Sequence, residues 1–379
     1  MKTFHCTNCQ NLVFFENVSC LSCGHALAYL PDRAAMAALQ QGTDGDWHVE
    51  GRTDWPESYR LCVNYTQQNV CNWAVPIDDP NLYCRSCRLT RVIPDLTPGG
   101  KEAWFRLEAA KRRLVETLLS LRLPVVAKDE SNPQGLTFEF LKDSNEPNGD
   151  SNRVLTGHDN GLITINIAEA DDVQRERTRQ QQREPYRTLV GHFRHEIGHY
   201  YWDRLIRDSE RLEAFRSLFG DERADYAEAL KRHYDQGAPA SWADQFISTY
   251  ATSHPWEDWA ESWAHFLHMS DSLETAGAVG LSLRPARRDE PTIPATSPSV
   301  ALMDAGFESM IDRWLPLTYV MNNLSRGLGL ADAYPFVLSP TVIEKLHFIY
   351  DTINASRPAT ASALNVPAKK APPAEERAA

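Results

Sequence analysis

The stretch "GHFRHEIGHYYW", residues 191–202, decides how this chain is interpreted. On an α-helix, His195 and His199 stand one turn apart on the same face, so both imidazoles can reach one metal ion. Glu196 is rotated by about 100° around the helix axis, where it can contact a metal-bound water without coordinating the metal. The five-residue pattern is short enough to arise by chance. The surrounding sequence must therefore decide between a metal site and an ordinary buried helix.

The residues that flank the motif predict a helix enclosed on both sides. One apolar stripe is formed by Val190, Phe193, Ile197 and Tyr201. On the histidine side, Trp202 and Ile206 continue the helix as a second apolar face. Enclosed imidazoles need partners, and a metal ion supplies one for each. The pattern thus favours the metal site.

A catalytic zinc needs a third protein ligand and an open position for water. The best candidate segment is "YATSHPWEDWAESWAHFLH", residues 250–268, in which Pro255 suits the first turn of a helix. Glu257 and Glu261 stand four residues apart on one face of that helix. One of them would bind zinc, and the other would hold the second ring N–H of a ligating histidine. The spacing leaves open which glutamate does which.

Here the sequence resembles known proteins. An HExxH helix followed later by a helical ExxxE resembles the gluzincin class of zinc peptidases, which implies that Glu257 is the ligand and Glu261 orients a histidine. The segment is also similar to the anthrax lethal-factor type of active site, which implies that Tyr250 assists the carbonyl oxyanion. Most of residues 1–350 resemble a bacterial family of zinc metallopeptidases with an N-terminal zinc-ribbon region. That likeness is carried by "CNWAVPIDDPNLYCRSCRLTRVIPDL", "FRHEIGHYYWD" and "HPWEDWAESWAHFLH".

The resemblance implies a zinc-dependent hydrolase that acts on a peptide or protein substrate. His195, His199 and Glu257 would hold one catalytic Zn²⁺. Glu196 would act as general base on an activated water, and Tyr250 would donate to the oxyanion. In gluzincins an edge strand binds extended substrate by backbone pairing, so the predicted hairpin at 154–167 is the expected docking edge.

All eight cysteines lie at or before residue 87. The first set has two CxxC knuckles at the spacing of a zinc ribbon and consists of Cys6, Cys9, Cys20 and Cys23. The second set is looser, and we interpret it as a further four-thiolate zinc site; it consists of Cys62, Cys71, Cys84 and Cys87. Crosswise pairing of the knuckles stays open, as does a role for Cys62 and Cys71 as small buried hydrophobes. The sequence thus predicts one or two structural zinc ions.

The predicted fold class is α+β, with an N-terminal cysteine-rich zinc-ribbon module followed by a mainly helical, gluzincin-like metallopeptidase domain with a small β-sheet. The predicted boundaries are 1–30 for the zinc ribbon, 31–98 for a connecting segment and the second four-cysteine region, 99–355 for the metallopeptidase-like domain and 356–379 for a disordered Ala/Pro-rich tail.

Periodicity predicts the main local elements. A helix is expected within 97–124, a strand at 136–141, and a hairpin at 154–167 that turns at Asn160-Gly161. An exposed helix or lid is expected at 171–185, and a Pro-rich loop at 284–299. We interpret 219–234 as a charged amphipathic helix without a chemical role. Four further histidines are weaker candidates for metal binding: His192, His254, His265 and His268.

The formal charge of −12 argues against nucleic-acid binding, which needs a basic face. No apolar run approaches the roughly 18 residues of a membrane span, and the N-terminus lacks the apolar core of a signal peptide. We therefore expect a cytoplasmic protein without membrane contact. An alternative hypothesis is a non-catalytic interaction or adaptor protein, in which the zinc ribbons dock a protein partner and the HExxH metal site is structural.

Overall fold

The computed structural model describes residues 3–357 except 146–150, 183, 185, 286, 288, 291 and 294–301. Residues 358–379 of the predicted disordered tail lie outside the described residues, and so do 294–299 of the predicted Pro-rich loop.

The N-terminal part of the chain forms two antiparallel sheets. A hairpin joins β1 (Phe4–His5) to β2 (Leu12–Val13) within the first cysteine set. A five-stranded sheet follows in the order β3-β4-β5-β6-β7. Its strands are β3 (Ala26–Leu30), β4 (Ala35–Gln41), β5 (Trp47–Val49), β6 (Ser58–Leu61) and β7 (Ala74–Pro76). The short helix α1 (Val63–Thr66) connects its last two strands.

The predicted connecting segment after residue 30 is instead part of this sheet. Met36 and Ala38 of β4 face the main hydrophobic core, whereas Ala37 and Leu39 face a second, smaller cluster. Because both faces of β4 are covered, "AMAALQQ" lacks the apolar–polar alternation by which a half-buried strand is recognised. The segment is therefore a structural strand that the sequence pattern did not reveal.

A second, mixed sheet has the strand order β12-β13-β9-β8. Its strands are β8 (Thr90–Val92), β9 (Thr137–Leu141), β12 (Gly157–Asp159) and β13 (Leu162–Asn166), and a small separate hairpin consists of β10 (Ser144–Asn145) and β11 (Ser151–Asn152). The predicted hairpin is confirmed, because β12 pairs antiparallel with β13. Its turn residues Asn160 and Gly161 have φ of 46° and 84°, the left-handed conformation that a tight hairpin turn requires. β12 is an edge strand.

The remaining elements are helices. They are α2 (Pro98–Ser120), α3 (Asp172–Gln182), α4 (Leu189–Leu205), α5 (Leu212–Phe219), α6 (Tyr226–Gln236), α7 (Pro255–Ala278), α8 (Phe307–Gly327) and α9 (Pro340–Ser356). The predicted helix within 97–124 is confirmed as α2, and α3 is the exposed helix expected after the hairpin. The predicted α+β class is thus confirmed: a cysteine-rich region with small sheets precedes a mainly helical region.

The centre of the helical region is the contact between α4 and α7. Phe193, Ile197 and Tyr201 of α4 are fully buried, and the ring of Tyr201 stacks on Trp263 of α7 with centroids 5.0 Å apart. The predicted enclosure of the HExxH helix is therefore confirmed. Within the described ranges, no helix combines the length and apolar character needed to cross a membrane.

Candidate metal centre

Capping interactions set where α4 and α7 begin. The hydroxyl of Thr188 accepts the backbone N–H of Gly191 at 3.0 Å at the start of α4. At the start of α7, the His254 ring accepts the N–H of Trp256 at 3.1 Å, and Pro255 occupies the first helical turn. These caps satisfy backbone groups that would otherwise lack partners. With this beginning of α7, Glu257 and Glu261 lie in its first two turns.

A glycine allows these two helices to approach closely. A Cβ added at Gly198 would lie 2.9 Å from Cα of Ala260 and 3.2 Å from Cβ of Trp263. The indole N–H of Trp259 also donates to the carbonyl oxygen of Gly198 at 2.8 Å. The fourth position of "HEIGH" is therefore the contact that brings side chains of α7 within reach of the two histidines.

We expect Gly198→Ala to destabilise the fold and weaken metal binding. Helix propensity would favour alanine by about 1 kcal/mol, but an added methyl against backbone atoms costs about 1–3 kcal/mol. Urea unfolding and a zinc competition assay would measure both effects. Gly99→Ala is the matched control, because nothing lies within 4 Å of its added Cβ. A Gly198→Ala chain as stable as wild type with unchanged zinc affinity would contradict the expectation.

Three ligand-type atoms meet between α4 and α7. Nε2 of His195 lies 3.2 Å from Nε2 of His199. Oε2 of Glu257 lies 2.9 Å from the first nitrogen and 3.5 Å from the second. The structure therefore brings together the three residues that the sequence predicted as ligands of a catalytic zinc.

The geometry of these atoms fits a zinc ion. Zinc bonds of 2.0–2.1 Å in a tetrahedron place neighbouring ligand atoms about 3.3–3.4 Å apart, close to the distances observed here. Glu257 is 1% exposed, and among the described residues its Oε2 has no donor at hydrogen-bonding geometry. A buried carboxylate oxygen that faces two imidazole nitrogens and lacks a hydrogen bond is suited to a cation.

Glu261 contacts His195 from the other side of the ring. Its Oε1 lies 2.8 Å from Nδ1 of His195, and its Oε2 accepts the hydroxyl of Ser248 at 2.6 Å. Because a carboxylate can only accept, Nδ1 donates its N–H to Glu261, and in the neutral ring that binds a metal Nε2 carries the lone pair that faces the centre. Ser248, which the sequence analysis did not identify, lies on the loop before α7 and has no recognisable motif.

Tyr226 is the second residue that sequence reasoning missed. Its hydroxyl donates to Oε1 of Glu257 at 2.7 Å, although helix α6 had been interpreted as having no chemical role. The amphipathic pattern of α6 explains its packing and gives no indication of the contact, because Tyr226 is a half-exposed residue at the first turn of α6. Only the three-dimensional arrangement reveals it.

Burial and the charges of neighbouring side chains shift the pKa values of the groups at this centre. Burial acts to raise the pKa of Glu257, but the imidazoles of His199 and His195 hold it well below its usual value. For His195, burial acts to lower the pKa, and the nearby carboxylates of Glu257 and Glu261 raise it well above its usual value. Burial and the charge of Glu257 raise the pKa of Tyr250. Tyr250 therefore keeps its phenolic proton at neutral pH.

Glu196 and Tyr250 lie where two cavities meet. One cavity has a volume of ≈600 Å³ and the other ≈390 Å³, and both are lined by Thr156, His195, Glu196 and Tyr250. The Tyr250 ring centroid is 5.8 Å from that of His195. Glu196 does not belong to the group of three ligand atoms. It borders the cleft beside that group.

The other candidate histidines make different contacts. Their partners are Glu169 for His192, the Ala224 carbonyl oxygen for His254, Tyr334 for His265 and Arg194 for His268. Among the described residues none of these four belongs to a metal-type cluster.

The eight cysteines form two separate clusters, without crosswise pairing of the knuckles. They are Cys6, Cys9, Cys20 and Cys23 in one and Cys62, Cys71, Cys84 and Cys87 in the other. Sulfur atoms lie 3.7 Å apart for Cys6–Cys23, 3.6 Å for Cys9–Cys20 and 3.7 Å for Cys71–Cys84. Tetrahedral zinc with 2.3 Å bonds separates sulfurs by about 3.8 Å, and a disulfide would need about 2.05 Å. Both clusters therefore fit zinc.

Fold and clusters together define the class: a zinc-binding protein in which a cysteine-rich zinc-ribbon region precedes a mainly helical region. Comparison with known families gives the particular assignment. The chain belongs to the family described as "Putative zinc-binding metallo-peptidase", whose model matches residues 100–352. A zinc-ribbon domain model matches residues 3–98, a range that contains both cysteine clusters.

Two relatives have similar length. They are "Uncharacterized protein Rv2568c" of Mycobacterium tuberculosis and "Uncharacterized protein Mb2598c" of Mycobacterium bovis. Each is 44% identical over 360 residues, which cover 94% of this chain and 97% of the relative. No solved structure matches the chain significantly. The predicted family with its N-terminal zinc-ribbon region is thus confirmed.

Proposed function

We propose that this protein is a zinc-dependent peptide hydrolase. The observation that carries the proposal is the convergence of Nε2 of His195, Nε2 of His199 and Oε2 of Glu257 within 2.9–3.5 Å of one another. They meet beside a cleft that Glu196 also borders. Two imidazoles and a carboxylate are the ligand set of catalytic zinc in several peptidases.

His195, His199 and Glu257 would hold the zinc ion. When bound, zinc supplies a Lewis acid that polarises a substrate carbonyl and lowers the pKa of coordinated water towards about 7. Glu261 keeps the proton of His195 on Nδ1, so the lone pair of Nε2 stays directed at the centre.

Glu196 is the proposed general base. It sits one residue after His195 and is therefore rotated away from the ligand atoms, yet it lines both cavities. In this position its carboxylate takes the proton from the attacking water and passes it to the leaving nitrogen. A buried carboxylate, 4% exposed, is also shielded from bulk water, which keeps the transferred proton in the site.

Tyr250 is the proposed donor to the carbonyl oxygen. Its protonated phenol lines both cavities beside His195. As the carbonyl carbon becomes tetrahedral, negative charge builds on the oxygen. A fixed O–H donor in a site with little water stabilises that charge more than it stabilises the neutral substrate.

The cleft suits an extended peptide. Residues 153–156 line the larger cavity, and residues 156–159, which include edge strand β12, line the smaller one. One continuous backbone segment therefore follows the whole cleft, with Thr156 at the point where the two cavities meet. A substrate strand that pairs with this edge would carry its scissile bond past the metal centre.

Metal analysis of His199→Ala beside wild type tests the metal centre. We expect the variant to contain one zinc fewer per chain than wild type, because the cysteine clusters keep theirs. His347→Ala is the control; its side chain is 43% exposed and pairs only with Asp351 at 3.8 Å among the ion pairs of the described residues. An unchanged zinc count in His199→Ala would contradict the proposed metal centre.

A digest of a random peptide library by the wild-type protein tests the reaction itself. We expect cleavage that stops when zinc is removed by a chelator and returns when zinc is restored. A wild-type protein that holds the third zinc yet cleaves no peptide would favour the alternative hypothesis, a non-catalytic interaction protein with a structural metal site.

A further inference from the structure

We propose that Tyr226 is a positioning residue that restricts Glu257 to ligation through one oxygen, so that one coordination position stays open for water. The inference rests on the metal centre proposed above and adds to it a residue from a third element, α6. It concerns how Glu257 binds, and therefore goes beyond the identity of the ligands.

The two oxygens of Glu257 have different environments. Oε1 accepts the hydroxyl of Tyr226 at 2.7 Å. Oε2 has no hydrogen-bond donor among the described residues and lies 2.9 and 3.5 Å from the Nε2 atoms of His195 and His199. The carboxylate is thus divided into one oxygen held by the protein and one oxygen directed at the metal centre.

This division matters because a carboxylate can bind zinc through one oxygen or two. Two histidines and a bidentate glutamate would already occupy four positions, which is the complete shell of a structural site. With Oε1 retained by Tyr226, the protein supplies three ligand atoms and leaves the fourth position to water or substrate. A centre of this kind is catalytic in form.

Contacts at the start of α6 hold Tyr226 in the position from which its hydroxyl donates to Oε1 of Glu257. The carboxylate of Asp225 caps α6 by accepting the N–H of Glu228 at 2.8 Å. The Tyr226 ring packs edge-on against His254, with centroids 5.2 Å apart. His254 in turn contacts the carbonyl oxygen of Ala224 at 3.1 Å and caps α7. The same histidine therefore fixes the beginning of the helix that carries Glu257 and the loop that carries Tyr226.

The test is Tyr226→Phe, which removes the hydroxyl and keeps the ring that packs against His254. Zinc affinity would be measured by chelator competition. We expect it to fall by about 10-fold, in the range of 10–100-fold that loss of such an outer partner typically causes. In hydrolysis, we expect kcat to fall while KM changes little, because the open position serves the chemical step.

A spectroscopic measurement distinguishes positioning from packing. Cobalt would be loaded at the histidine–glutamate centre while the cysteine clusters keep zinc, and the spectrum of His199→Ala treated in the same way would be subtracted. Release of Oε1 allows Glu257 to bind through both oxygens, which puts a second carboxylate oxygen where water would otherwise bind, so the position and intensity of the cobalt d–d absorption change. Tyr319→Phe is the control, because Tyr319 is 56% exposed on α8.

The outcomes separate the two proposals. Wild-type protein that binds neither zinc nor cobalt at this centre would overturn both of them. Wild-type protein that binds, together with a Tyr226→Phe chain of unchanged zinc affinity and unchanged cobalt spectrum, would overturn the role of Tyr226 and leave the metal centre standing.

Discussion

Replacing Glu196 by glutamine is expected to lower kcat/KM for peptide hydrolysis by about 10²–10⁴-fold, the range that a general base contributes. The chain is expected to keep every zinc ion, because Glu196 lies outside the group of three ligand atoms. An amide has nearly the size of a carboxylate but cannot accept the proton of the attacking water at neutral pH. The loss should therefore appear in the chemical step.

The fold should tolerate this change. Glu196 borders the two cavities, and among the ion pairs of the described residues it is paired with Nε2 of His192 at 3.8 Å, beyond hydrogen-bond distance. Zinc content, the urea unfolding midpoint and steady-state kinetics measured on the same preparation would separate a loss of catalysis from a loss of structure.

Glu213→Gln provides the matched control for Glu196→Gln. The side chain of Glu213 is 82% exposed and pairs with Arg216 on the surface of α5, an interaction of about 0–1 kcal/mol. We expect this variant to retain wild-type kinetics. A Glu196→Gln chain that hydrolyses peptides at the wild-type rate would exclude Glu196 as the base, whatever the metal content.

The largest effect on stability is expected from Cys84→Ser in the second cysteine cluster. Apparent binding free energies of structural zinc are about 10–16 kcal/mol in isolated zinc fingers, as large as the whole stability of a typical domain, about 5–15 kcal/mol. We expect the variant to lose the zinc of this cluster and to unfold beyond it, so that the histidine–glutamate centre also loses its metal.

The reason for this wide effect is the position of the cluster. Sγ of Cys87 lies 4.0 Å from a carboxylate oxygen of Glu108 on α2. Glu108 pairs with Lys111 at 2.9 Å, and both side chains are fully buried. Glu108 also accepts the hydroxyl of Thr90 at 2.8 Å, and Thr90 begins β8 in the sheet that contains β12. Loss of the zinc would disturb the residues around the buried Glu108–Lys111 ion pair. A buried ion pair that loses its partners is strongly destabilising.

Cys9→Ser in the first cluster is the comparison. Cys9 is exposed, whereas Cys84 is buried, and Cys9 lies in the turn of the small hairpin of β1 and β2. We expect loss of one zinc and local loosening, with the histidine–glutamate centre still loaded. Zinc counts and thermal unfolding of both variants would measure the difference. Equal, small effects from Cys84→Ser and Cys9→Ser would show that the second cluster does not support the helical region.

Local elements were predictable because their causes lie within a few residues. The 3.6-residue periodicity of α2, the Asn160-Gly161 turn and the Pro255 start of α7 each depend on short-range backbone preferences. The first cysteine cluster was predictable for a similar reason, since a CxxC knuckle brings two thiolates together within one turn. In the second cluster, Cys84 and Cys87 form such a knuckle, whereas Cys62 and Cys71 do not.

Elements whose pattern depends on distant neighbours were not predictable. Strand β4 has no alternation because a separate cluster covers each of its faces. Strand β8 follows the last cysteine in the chain but pairs in parallel with β9, some 45 residues later, within the sheet of the helical region. No local sequence pattern indicates that β8 pairs with β9.

The sequence by itself determined the chemistry available to this protein: two imidazoles one helical turn apart, a base next to them, two acids on a later helix and eight thiols grouped by spacing. Only the tertiary structure decided which carboxylate oxygen faces the imidazoles and which is held by Tyr226. The physical reason is that these choices depend on contacts between separate elements. The approach of Gly198 to Ala260 sets the distance between α4 and α7, and the cap shared through His254 sets the position of α6.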